Sequence, residues 1–317
     1  MGTLTHILKR LVNLVPVLLI VSVLTFAIGH LTQGDPIEAQ YARTHTPEQI
    51  EAIRAAYGLD LPLWEQYLRW LRSLFVEGGG LSIVQNQPVF AILWPNFVNT
   101  LILTGAGVVV CAVFGILIGT LAGTGHGRLI DRASMFIVQV GSNLSVYWFG
   151  LVLIWIFALQ LQWLPVSGMY SRRGGGFGDL LLHLILPSIS AALISMLVLA
   201  RFTRIGIIQE RQSDHFRTFR SQGLGSVRLY GRHVGRNILP PVVNIIGLEI
   251  GTLITGVVFV ESVFNWPGIG TQVLNAVNGK DYPLIQGGVV LVALCYLVVN
   301  LGTDVVVDIL NPRLKRT

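Results

Sequence analysis

The chain has 317 residues, 52% hydrophobic and 12% charged, with a mean hydropathy of +0.66. That balance excludes a soluble two-domain protein of this length and describes a chain that lives in a bilayer. The net charge of +6 and pI of about 9.6 do not indicate nucleic-acid binding, because the charges cluster between apolar runs and no nucleic-acid motif accompanies them.

The first apolar run, residues 11–31, follows Lys9 and Arg10 and is long enough to cross the hydrocarbon. It exceeds the core of a secretory signal and lacks a small-x-small cleavage site, so it reads as an uncleaved first span that starts on the inside. Residues 32–97 are too long and polar for a tight loop and carry their own helix signals. Thr46, Pro47 and Gln49 supply an N-cap, a first-position proline and a capping-box glutamine, and Gly58 supplies the stop. A second helix follows, with Trp64, Tyr67, Leu68, Leu71 and Phe75 on one face and Glu65, Gln66, Arg69 and Arg72 around the rest. Such a helix lies against protein or the membrane interface. Two roles stay open for this segment: a structural lid, or a surface that receives a partner outside.

The second span, residues 100–123, places Gly115, Gly119 and Gly123 at four-residue intervals, which lets another helix approach closely in lipid. Cys111 in this span and Cys295 in the last have no CxxC partner or nearby histidine, so both read as packing residues rather than metal ligands or a disulfide. An inner turn, residues 125–132, holds His126, Arg128, Asp131 and Arg132. The third span, residues 134–161, leads to an outer loop with Arg172, Arg173 and three consecutive glycines, and the fourth, residues 180–200, contains Pro187 as an expected kink. The fifth, residues 241–264, has Glu249 between Gly247 and Gly251. The sixth, residues 284–310, ends in Asp304 and Asp308, for which pairing with loop arginines is the simplest account, before Arg313, Lys315 and Arg316.

Between spans four and five lies the largest basic excess in the chain. Residues 201–236 hold eight arginines against Glu210 and Asp214, which puts this loop and both termini in the cytoplasm. The outer segment agrees, with four arginines against seven acids. Within the loop, Phe216 and Phe219 share a helical face, Asp214 sits in the first turn, and Gly223 falls where a left-handed residue closes a helix. The fold class is therefore an all-α integral membrane protein of six transmembrane helices with an extracytoplasmic helical insert. Its parts are residues 1–31 (N-terminal segment and first span), 32–97 (insert), 98–310 (five-helix core containing the loop at 206–240) and 311–317 (tail).

No HExxH, GxSxG or Walker A pattern is present, so no catalytic residue, metal ligand or nucleotide site is assigned. His183 and His233 have no partner legible in sequence. A carboxylate inside a lone span costs about 2.5–3.5 kcal/mol, so Glu249 faces either a partner group or a water-filled path. Glu261, near the outer end of the same helix, suits ordering of the turn at residues 265–270.

The stretch from Asp214 through Arg217, Thr218, Phe219, Arg220 and Gly223, continuing through Arg232, His233, Arg236, Asn237 and Pro240, resembles the EAA loop of the peptide and nickel permease family of bacterial ABC importers, specifically the first membrane subunit. The segments 247–270, 280–286 and 304–314 resemble that family's C-terminal half, and Gly34-Asp35-Pro36 with residues 59–70 its outer N-terminal segment. Phe219 stands where the family often has alanine, and Asn311 where aspartate is usual. The resemblance implies a type I ABC importer permease fold in the bacterial inner membrane and a non-catalytic subunit. It implies as partners a second homologous permease, one or two ATP-binding subunits that carry ATP and magnesium, and an extracytoplasmic solute-binding protein. It further implies that Asp214, Phe216, Arg217, Thr218, Phe219, Arg220 and Gly223 couple to an ATPase, with Phe216 and Phe219 as apolar anchors in its cleft, while Glu249 and Glu261 are candidates for the translocation path. Di- or oligopeptides are the implied cargo, with glutathione or a nickel or metallophore complex as alternatives. An ion-coupled secondary transporter using Glu249 is the reading from another class.

Overall fold

The computed structural model describes residues 16–27, 37, 46–56, 58–171, 174–223, 225 and 229–310. Among these residues the fold is helical, and an isolated antiparallel bridge pairs Leu81 with Pro88. The chain divides into two compact units: residues 1–100 with 267–298, and residues 101–266 with 299–317.

In the first unit, α1 (Pro16–Ala27) packs on α3 (Leu63–Val76). Ser22 Oγ lies 2.8 Å from the Tyr67 hydroxyl, and the Phe26 ring meets that of Tyr67 at 5.4 Å. Before it, α2 (Pro47–Ala56) starts and stops as its sequence signals require. The Thr46 backbone N–H donates to Gln49 Oε1 at 3.0 Å, and Gly58 takes φ +66°, a value that glycine adopts without penalty. The first turns of α4 (Val89–Thr124) pack against α10 (Ile269–Asn278) and α11 (Tyr282–Leu310) through Val89, Leu93, Ala276 and Leu284. The buried Asp281 carboxylate holds the loop before α4, accepting from the Ser82 hydroxyl, from Ile83 N at 3.2 Å and from Val84 N at 3.3 Å.

In the second unit α7 (Phe177–Gln212) is the central helix, packed by α5 (Leu129–Gly141), α6 (Val146–Leu153, continued as a π-helix over Ile154–Gln160) and α9 (Gly235–Val263). The glycine stripe of α4 does what its spacing predicts. A Cβ on Gly119 would lie 2.5 Å from the Ala200 carbonyl oxygen, and one on Gly123 2.8 Å from Ile207 Cβ, so only glycine permits this backbone approach. The core is built on Leu103, Leu186, Ala192, Leu199, Val257 and Phe264.

Among the described residues four helices are long and apolar enough to cross a membrane, and the bent pair α5–α6 makes up to five. The described part of the predicted first span, α1, is shorter than a span, so the expected six are not all met within the described residues. The third span is not one rod: its two halves meet at 108°. The turn between them is closed by the Asn143 N–H donating to the Val140 carbonyl and the Leu144 N–H to the Gly141 carbonyl, both at 3.1 Å, three-residue bonds that end the α-helical ladder. The fourth span was expected to end at Ala200, yet α7 continues to Gln212. The rise in polarity after Ala200 ends the apolar stretch and not the helix, since no proline, glycine pair or cap intervenes there. At about 54 Å for 36 residues, α7 exceeds a hydrocarbon core of about 30 Å.

Candidate functional site

The short basic helix forms as its residues dictate. α8 (Asp214–Ser221) is capped by Ser213, whose Oγ accepts the Phe216 N–H at 3.3 Å and itself donates to the Glu210 carbonyl at 2.7 Å. One serine thus ends α7 and starts α8. Thr218 Oγ1 donates to the Asp214 carbonyl at 3.0 Å. The helix closes at Gly223, which takes φ +72° and donates its N–H to the Arg220 carbonyl at 3.1 Å.

The two phenylalanines of α8 are placed differently from each other. Phe216 is 6% exposed and packs on Ile207, Leu229 and Val234 of its own chain, with the Tyr230 ring at 5.8 Å. It is therefore seated in α7 and the π-helical turn Leu229–Val234 and is not free to anchor a partner in this conformation. Burying such a side chain contributes about 1.5–3 kcal/mol. Phe219 is half-buried and stacks on the His233 ring at 4.3 Å. The outward face is polar: Asp214, Arg217, Thr218 and Arg220 are exposed, and Arg217 stands 4.0 Å from Asp214 in a solvated pair worth little by itself.

Residues outside the predicted coupling set tie this seat to the rest of the unit. Arg204 on α7 makes a two-bond fork to Asp131, Nε to Oδ1 at 2.6 Å and Nη2 to Oδ2 at 2.9 Å. The same carboxylate meets His126 Nδ1 at 2.9 Å and the Gly127 N–H at 3.0 Å. Arg211 Nη1 donates to the Gly123 and Thr124 carbonyls at 3.0 and 3.1 Å, so a cation satisfies the otherwise open C-terminal end of α4. Asn237 Nδ2 donates to Glu210 Oε1 at 2.7 Å, joining α9 to the end of α7. α8 is thus joined to α7 and the start of α9 by an apolar cluster, and α7 to α4 and α5 by two arginines.

The two candidate path acids separate. Glu249 is half-buried on α9, with Thr252 Oγ1 donating to its Oε2 at 3.2 Å beside the exposed Leu248. Glu261 is fully enclosed, and its backbone carbonyl accepts the Trp266 N–H at 2.9 Å. Of the two, Glu249 alone reaches a surface in this conformation. His183, on α7, approaches its own turn, with Nδ1 2.9 Å from the Asp179 carbonyl. Gly34-Asp35-Pro36 and Asn311, and the side chains of Asp304 and Asp308, lie outside what the structure describes.

Residues 115–316 match the family "Binding-protein-dependent transport system inner membrane component", and residues 3–104 match its N-terminal companion. The chain is 35% identical to the di/tripeptide transport system permease protein DppB of Pseudomonas aeruginosa, over 98% of this chain and 99% of that protein. It is 32% identical to the dipeptide transport system permease protein DppB of Escherichia coli and 35% identical to that organism's glutathione transport system permease protein GsiC, with the same coverage in both cases. A solved structure described as inward facing conformations of the MetNI methionine ABC transporter aligns with a TM-score of 0.55 at 15% identity, over 71% of this chain and 98% of that one. At that identity the likeness shows a shared fold.

Proposed function

Because the chain belongs to the family of binding-protein-dependent transport system inner membrane components, we propose that it forms half of the path of an ATP-driven importer of short peptides and receives the movement of ATPase subunits through α8. The subunit itself is non-catalytic. ATP and magnesium are held by the partner ATPases, cargo is delivered by a solute-binding protein on the outside, and a second, homologous permease completes the path.

The observation that carries this reading is the construction of α8. Its polar face, with Arg217, Thr218 and Arg220, is open to a partner, while Phe216 holds the opposite face to α7 and to the π-helical turn that leads into α9. A force applied to the outer face therefore reaches α7 directly and α9 through that turn. Phe219, stacked on His233 at the rim, is the apolar contact left for the partner. In this reading the α8 face and both termini are cytoplasmic, residues 32–97 are outside, residues 98–310 form the core and 311–317 its tail.

Short peptides as cargo follow the names of relatives matched along nearly their whole length, and glutathione falls within that chemical class as a tripeptide. Glu249 suits the positively charged amino group such ligands share, because a carboxylate at a surface within a span is retained at a cost.

The test is affinity purification of the tagged chain at native expression, followed by reconstitution of whatever co-purifies. Recovery of a second permease and one or two ATPases, with peptide uptake that requires ATP and is competed by dipeptides, is the expected result. Uptake by this chain alone, driven by an ion gradient, would overturn it.

A further inference from the structure

The helix α3 carries more apolar surface than its own unit covers. Tyr67, Trp70 and Leu74 face inward, and Tyr67 and Trp70 both lie against Phe26 of α1, with the Trp70 ring 6.0 Å from it. Rotated by roughly 100° about the helix axis is a second stripe, Trp64, Leu68 and Phe75, whose members are 66%, 53% and 79% exposed. Beyond that stripe the surface becomes polar, with Arg72 and with Arg69 3.3 Å from Glu65.

Two observations within the same unit say what covers the stripe. First, the neighbouring α1 also presents an open apolar face, with Val17, Ile20, Val23 and Leu24 all exposed; on a membrane helix such a face meets acyl chains. The α3 stripe belongs to the helix packed directly on α1. Second, the contact lies toward one end of α1. Phe26, against which Tyr67 and Trp70 both pack, is one residue short of the described C-terminal end of α1 at Ala27, and Ser22 is five short. A surface helix buries its apolar side about 5–10 Å into the boundary between headgroups and acyl chains.

We propose that α3 is an interfacial helix whose Trp64, Leu68 and Phe75 side chains insert into the phospholipid leaflet reached by the C-terminal end of α1. Arg69 and Arg72 then lie at the level of the headgroup phosphates, and the tryptophan occupies the zone that indole rings favour. The helix fixes the height at which the polar segment around it stands on the membrane. This inference depends on α1 lying in the membrane and not on the docking role of α8.

The experiment places a nitroxide label in turn at Leu68→Cys, Phe75→Cys and Arg69→Cys in the full chain, in nanodiscs of phosphatidylethanolamine and phosphatidylglycerol, with Val23→Cys as the lipid reference. Cys111 and Cys295 are buried, and the label taken up by the unsubstituted chain is subtracted. Collision with oxygen, which concentrates in lipid, is compared with collision with a water-soluble nickel chelate. Positions 68 and 75 are expected to follow Val23, with oxygen collisions severalfold above nickel collisions, and position 69 to show the reverse. Nickel collisions at 68 and 75 equal to those at 69 would place the stripe in water, and labels reached by neither reagent would place it under protein. Either result overturns the proposal.

Discussion

At the scale of single residues, three glycines of α4 set how closely α7 lies on it. The spacing of Gly115, Gly119 and Gly123 announces a close helix contact in sequence, and α7 fills it to within distances that a methyl group would violate. Gly119→Ala is expected to destabilise the chain by about 1–3 kcal/mol, the range for overpacking against atoms that cannot move. Gly105→Ala, on the same helix with nothing within 4 Å of its added Cβ, should change stability by less than about 1 kcal/mol. Thermal unfolding of the two variants in one detergent checks the contrast, and equal melting temperatures would contradict it. The Arg204–Asp131 fork was not legible in the same way. Its partners are 73 positions apart, and in sequence each is one charge among several in a basic loop or an inner turn. A contact of that kind is set by how helices pack, which no local pattern records.

At the scale of elements, the sequence locates where the environment changes better than where a helix ends. The boundary at residue 200 marks the loss of hydrophobicity, yet the hydrogen-bonded ladder of α7 runs through it, because arginine, phenylalanine and isoleucine continue a helix well enough. The break between α5 and α6 escaped for the opposite reason: residues 134–161 are apolar enough for one span, and the interruption is a tight turn over residues 142–145 that no proline or glycine pair marks in sequence. The α8 helix and its glycine stop were legible, while the inward orientation of Phe216 was not, since an aromatic on a short helix serves its own chain or a partner equally well in sequence. Its burial leads to a separable expectation. Phe216→Ala removes a nearly fully buried ring and should cost about 3 kcal/mol or more of local stability, loosening α8 from α7 and α9. Phe219→Ala, at a half-exposed rim position, should leave α8 seated. Trypsin cleavage at Arg217 and Arg220 in the folded chain distinguishes them: faster cutting in the Phe216 variant alone is the expected outcome, and equal cutting in both would remove Phe216 from the role of anchor.

At the scale of the whole molecule, the proposed coupling requires that an event at α8 be felt in the spans, and the second unit supplies packed connections for it. The apolar cluster around Phe216 joins α8 to α7 and α9, Asn237 closes the same corner, and Arg204 and Arg211 carry the connection to α4 and α5. None of these links involves the outward guanidinium groups of Arg217 and Arg220. Reversing those two charges, Arg217→Glu with Arg220→Glu, should therefore leave expression, membrane insertion and melting temperature unchanged, because exposed charges contribute less than about 1 kcal/mol to folding. The same pair should weaken association with the ATPase, and weaken it more as salt is lowered, since the reversed charges then repel over a longer distance what the native ones attract. The measurement is ATPase activity of the reconstituted complex with and without binding protein and peptide, at two ionic strengths. Loss of peptide stimulation, partly restored by high salt, is the expected result. Normal stimulation in the double variant would mean that the force enters the membrane subunit elsewhere, and would leave the rigid seat of α8 as an element of folding alone.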